Sequence, residues 1–203
     1  NDYRCWLRYT SAERYAEEHR VALVTCSVGN SAYENKEGRG EKYFDFVAKE
    51  LPEFVCSYFP ISDRPEDTYM LGYSMGGYGT IIHTFAEPEK YAAVGFFSPG
   101  VPKPANEQND MQRKLPNRYE MISEAVEKGL KLPKIFMCIG QNDFLYETVT
   151  NFHQHLNALG IEHRYDDLPG YEHEFAIWDR ELLAFMDWMP RTDYYADKIP
   201  HKI

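Results

Sequence analysis

The chain has 203 residues, 43% of them hydrophobic and 15% aromatic, with a formal net charge of −10 at pH 7. That is enough apolar material for one domain with a full core. The acidic balance argues against a nucleic-acid or anionic-membrane surface, and no apolar run reaches the length of a membrane span.

Asn1 to Thr10 reads as a polar and aromatic lead-in. Ser11 to His19 reads as a short helix, with Thr10 or Ser11 as N-cap and Glu13 in its first turn. The continuous apolar run Val21 to Val28 predicts a parallel strand covered on both faces. Gly29 to Gly40 is a loop. Lys42 to Tyr58 predicts a helix whose apolar side carries Tyr43, Phe46, Val47, Leu51, Phe54 and Val55, with a bend at Pro52. Ser62 to Asp67 is a polar turn leading into the apolar strand Thr68 to Leu71.

Past the next helix, Glu87 to Lys90 ends the segment, and Tyr91 to Phe97 predicts a strand stopped by Ser98-Pro99-Gly100. Val101 to Pro133 breaks the rhythm with Pro102, Pro104, Pro116 and Pro133. It reads as a lid-like excursion over the sheet with one amphipathic helix around Tyr119 to Lys128. Lys134 to Gly140 predicts a strand and Leu145 to Leu159 a helix ended by Gly160. Ile161 to Asp166 is a more polar strand, suited to a sheet edge, and Phe175 to Met189 is a last helix. Strands alternating with helices predict an α/β domain with a mostly parallel sheet, helices on both faces, and a ligand site at the carboxyl ends of the strands. Of the scattered Cys5, Cys26, Cys56 and Cys138, Cys26 and Cys138 lie in strand-like runs and read as small core hydrophobes. With no C-x-x-C spacing, the cysteines favour a reducing compartment and a cytoplasmic location.

The stretch Gly72-Tyr73-Ser74-Met75-Gly76 is a G-x-S-x-G pattern between a strand and a helix, the setting of a nucleophile elbow. So tight a turn strains the serine backbone and calls for glycine at Gly72 and Gly76, while Gly77 and Gly79 suit close helix–sheet packing. It would present Ser74 Oγ at a strand end, beside the Met75 N–H at a helix N-terminus, where that N–H can serve an oxyanion hole. A serine hydroxyl needs a base, and the base an orienting acid, which follow the serine in the order acid then histidine when a G-x-S-x-G elbow is used. Asp143, after the strand ending at Gly140, is the leading acid. Asp166 and Asp167 are its rivals, and an N-cap is its alternative role. Of seven histidines only His173 lies in a loop after the last strand and before a helix. His153 and His155, two apart, share no helix face, which speaks against a metal site. The predicted chemistry requires no cofactor.

The pattern resembles the esterase D-like α/β-hydrolases, in the tributyrin esterase branch that includes acetylxylan and feruloyl esterase relatives. The resemblance is carried by Trp6–Thr10, Ser27–Tyr33, Gly72–Gly79, Gly140–Tyr146 and Pro169–Asp179. It implies the α/β-hydrolase fold, a triad of Ser74, Asp143 and His173, and a serine carboxylesterase acting on short acyl chains. It also implies that opening strands and a His-Gly oxyanion loop precede Asn1, which leaves the second oxyanion donor unassigned. The expected partner is a small-molecule or sugar ester, and a homo-oligomer is compatible with the sequence. The readings behind it are an acetylxylan or feruloyl esterase, an S-formylglutathione hydrolase, an acyltransferase, and a catalytically idle binding protein of the same fold.

Overall fold

Two helices, α1 (Cys5–Tyr9) and α2 (Ala12–Glu18), open the chain in the computed structural model, which describes residues 2–36, 38, 40–101 and 118–192. The lead-in is thus partly helical. Ser11 stands at the N-cap of α2 without a side-chain cap bond of its own, and Thr10 Oγ1 accepts the Ala12 N–H at 3.2 Å, so the local polar start is as expected. A carboxylate distant in the chain adds to it: the Ser11 N–H donates to Asp179 Oδ1 at 2.7 Å and the Tyr15 hydroxyl to Asp179 Oδ2 at 3.3 Å.

A two-residue hairpin, β1 (Asn35–Lys36) with β2 (Glu41–Lys42), leads into α3 (Tyr43–Asp45) and α4 (Leu51–Tyr58). Between the helices Phe46–Glu50 is wound as a π-helix, with Leu51 N–H bonding Phe46 O. Pro52 is the cause: its ring crowds the carbonyl four residues back, and widening the turn relieves it. The bend expected at Pro52 is therefore a π-bulge preceding it.

The core is a four-stranded sheet of β3 (Tyr69–Tyr73), β4 (Ala93–Phe97), β5 (Lys134–Gly140) and β6 (His163–Leu168), all parallel and in that spatial order. Helices α5 (Met75–Ala86), α6 (Arg118–Glu127), α7 (Tyr146–Ala158) and α8 (Phe175–Trp188) connect and cover it. Side chains alternate across the pleat. Tyr73, Phe97, Phe136 and Cys138 meet α2 and α8 on one face, while Val94, Phe96, Ile135, Met137 and Ile139 meet α5, α6 and α7 on the other. Each large side chain fully buried here contributes about 1.5–3 kcal/mol. β6 lies at an edge, as its polarity predicted, but begins two residues later than read. Of the excursion, residues 102–117 lie outside the described ones; α6 matches the helix expected within it.

One expected strand is not formed. Val21–Val28 runs without a ladder, with Leu23 and Val24 exposed and Cys26 only half-buried. An apolar segment becomes a strand only with a neighbour to bond. Here Val21–Val28 and Tyr69–Tyr73 both line a cavity of about 990 Å³, and no ladder joins the segment to β3.

Candidate active site

Ser74 lies at the turn from β3 to α5 with φ 54° and ψ −118°, a strained conformation for a residue with a side chain. The turn is held from below: Ser74 N–H donates to Phe97 O at 3.0 Å, and Gly100 N–H donates to Ser74 O at 2.9 Å. A Cβ on Gly72 would lie 2.3 Å from the backbone of Gly76, so only glycine fits there. The same space argument does not hold for Gly76, whose added Cβ would meet only the Tyr33 hydroxyl, at 3.5 Å. Gly77 admits the Pro99 turn, 2.9 Å from its missing Cβ, and Gly79 admits the Tyr33 ring rather than the sheet. Met75 is the first residue of α5, so its N–H has no acceptor within the helix, and Ser74, Met75, Gly76 and Tyr33 all line the cavity.

Asp143 follows β5. Its side chain is fully buried, and its two oxygens divide the work. Oδ1 accepts the Leu145 N–H at 2.8 Å in the turn before α7, and Oδ2 bonds His173 Nδ1 at 2.8 Å. The N-cap of α7 is Leu145, without a side-chain cap bond, so Asp143 is the histidine partner and not the cap. Burial alone would raise the carboxyl pKa. The bonds from His173, Leu145 N–H and Ser98 outweigh it and hold Asp143 below the usual carboxylate range. The rivals are engaged elsewhere: Asp166 pairs with Arg164 at 2.5 Å, and Asp167 Oδ2 accepts the Tyr146 hydroxyl at 2.8 Å.

His173 sits in the loop between β6 and α8, mostly covered, with the Trp178 ring edge-on at 5.0 Å and the Phe144 ring at 4.7 Å. With Nδ1 committed to Asp143, Nε2 is left to face a reacting group. The structure brings Asp143 and His173 together and sets Ser74 at the end of a strand of the same sheet. It records no hydrogen bond between Ser74 Oγ and His173. Sequence reasoning noted Ser98 only as part of a strand stop, and Trp178 only within the Pro169–Asp179 stretch that carries the resemblance, with no role assigned to either. Among the described residues no cluster of three or more His, Cys, Asp or Glu could hold a metal ion, and His153 is bonded to His163 of β6 instead.

A strained serine at a strand-to-helix elbow, with a buried Asp–His pair at later strand ends of a parallel sheet, defines a serine hydrolase of the α/β type. The chain belongs to the Esterase family, which it matches over residues 4–189, and it is a hydrolase of carboxylic esters. It is 26% identical to an acetyl esterase of Caldicellulosiruptor saccharolyticus over 94% of this chain and 80% of that one. Among solved structures, S-formylglutathione hydrolase FrmB of Staphylococcus aureus is 33% identical, with a TM-score of 0.79, covering 93% of this chain and 76% of that one. The fluorophosphonate-binding serine hydrolase FphF of S. aureus is 31% identical, with a TM-score of 0.82, covering 93% and 79%. The sheet and its helices are those of the α/β-hydrolase fold.

Proposed function

We propose that this esterase cleaves short-chain acyl esters through an acyl-enzyme built on Ser74, with His173 as base and Asp143 as its orienting acid. The observation that carries the reading is the 2.8 Å bond between buried Asp143 and His173 Nδ1, which leaves Nε2 free to accept a proton. Ser74 Oγ attacks the ester carbonyl carbon as its proton passes to His173 Nε2. The oxyanion develops beside the Met75 N–H. The carbonyl carbon–alkoxide bond then breaks, and the alcohol leaves with the proton from His173. Water, deprotonated by His173, attacks the acyl carbon and frees the acid and Ser74. Asp143 stays ionised and stabilises the imidazolium.

The likeness to an acetyl esterase supports a small acyl group. A second reading, hydrolysis of the S-formylglutathione thioester by the same residues, is favoured by the likeness to FrmB. In either case the partner is a small soluble ester or thioester. Four unpaired cysteines support a reducing, cytoplasmic setting, and no helix among the described residues is long and apolar enough to cross a membrane. The test is hydrolysis of p-nitrophenyl acetate and of S-formylglutathione by the chain and by Ser74→Ala. Equal turnover in the two proteins would contradict the reading.

A further inference from the structure

Ser98 is the first residue after β4, and it takes φ 38°, a left-handed backbone that a serine adopts only when its surroundings impose it. Its N–H is fixed to Cys138 O at 2.9 Å, and its neighbours are tied to the elbow through Phe97 O to Ser74 N–H and Gly100 N–H to Ser74 O. The result is a fully buried hydroxyl held between the serine turn and the acid loop. Trp178 Nε1 lies 3.1 Å from Ser98 Oγ, and Trp178 is itself 3% exposed.

The direction of that bond is forced. An indole N–H can only donate, so Ser98 Oγ is the acceptor. The hydroxyl carries a single proton, which no water can take at this depth. An interaction with Ser98 is among those that hold the Asp143 carboxyl below its usual range. The Trp178 ring also touches the other partner, edge-on to His173 at 5.0 Å, while its face stacks on Tyr73 at 4.3 Å, next to Ser74 in the chain.

We propose that Trp178 and Ser98 are positioning residues, the indole N–H orienting the Ser98 hydroxyl so that it donates to Asp143 and fixes that carboxylate toward His173 Nδ1. This rests on the triad reading above. Asp143 has two donors in place, Leu145 N–H and His173 Nδ1–H, and the Ser98 O–H adds a third in this proposal. The same indole sets the orientation of His173 from the side. Removing the Ser98 hydroxyl concentrates the Asp143 charge on His173, so the variant stabilises the imidazolium better.

The test uses Ser98→Ala and Trp178→Phe, the latter keeping a ring against Tyr73 and His173 while deleting the N–H. Two readouts are taken: kcat/KM against pH on p-nitrophenyl acetate, and the proton resonance of the His173 Nδ1–H. Both variants should lose activity about tenfold, with the acid limb displaced to higher pH by roughly half a unit, the size a lost hydrogen bond to a charged group allows. The Nδ1–H resonance should move in both. Glu181, buried on α8 near Cys138, also titrates, so the profiles are repeated in a Glu181→Gln background, where the displacement should persist. Lower activity with an unmoved acid limb and an unmoved resonance in the folded variants would overturn the proposal. If the wild-type chain hydrolyses nothing, the functional reading fails. The resonance then decides the positioning role alone, and an unmoved signal in Trp178→Phe refutes it.

Discussion

The Tyr33 ring lies 2.4 Å from where a Cβ on Gly79 would stand, so the helix behind the nucleophile turn and the loop in front of it fit only because Gly79 has no side chain. Tyr33 itself has φ 60° and follows Ala32 at φ 57°, two residues in the left-handed region that press the ring onto α5. Gly79→Ala should destabilise the protein by about 2 kcal/mol, the scale of overpacking a rigid contact. Tyr33→Ser should restore most of that loss in the double variant. Denaturant melts of the four proteins check it; additive losses would mean that the two residues do not meet.

Asp143→Asn keeps the size of the side chain and can still accept the Leu145 N–H through its amide oxygen, but it no longer offers a charge to His173. We expect kcat to fall by about 10⁴, with the fold intact. Asp166→Asn and Asp167→Asn change the contacts to Arg164, Glu181 and Tyr146 but leave the Asp143–His173 bond in place, and should keep kcat within about threefold. Steady-state kinetics of the three variants decide among the carboxylates.

Glu181 is 1% exposed on α8, with Oε1 on Arg180 at 3.3 Å and Oε2 without a hydrogen-bond partner. Burial, and then the Asp166 carboxylate beside it, push its pKa up from 4.5 to about 7. Between those values the unfolded chain has lost a proton that the folded protein keeps. Stability should therefore fall as pH rises from about 4.5 to about 7 and level off above. Glu181→Gln removes the penalty. Its Tm should exceed that of the wild type at pH 8 by more than it does at pH 5, and thermal melts giving equal differences at the two pH values would count against it.

By composition the excursion Val101–Pro133 is rich in Pro, Asn, Gln and charge and has few apolar side chains to give a long acyl chain, where each buried methylene would gain roughly 0.8 kcal/mol. Acetyl to butyryl esters should therefore be cleaved with higher kcat/KM than decanoyl esters. A p-nitrophenyl ester series checks this, and a rise beyond eight carbons would refute it.

Much of this was legible in the sequence because local chemistry dictated it. The need for glycine at Gly72, the apolar strands Ala93–Phe97 and Lys134–Gly140, and the strand-end positions of Asp143 and His173 each follow from patterns within a dozen residues. What escaped was non-local. Val21–Val28 has the composition of a strand, but a strand needs a bonding neighbour, and its composition carries no record of one. The acceptor of the Ser11 N–H is Asp179, 168 residues away, and the partner of Gly79 is a loop tyrosine. Ser98 looked like a mere strand stop. Only the fold brings its hydroxyl to Trp178, 80 residues on.

The central claim, that Ser74 is the nucleophile that forms the acyl-enzyme, is tested most directly by covalent labelling. The chain and its Ser74→Ala variant are treated with a fluorophosphonate and read by intact mass and peptide mapping. A single adduct on the Gly72–Gly76 peptide, absent from Ser74→Ala, is the predicted result. An adduct on another residue, or the same adduct in Ser74→Ala, would contradict it.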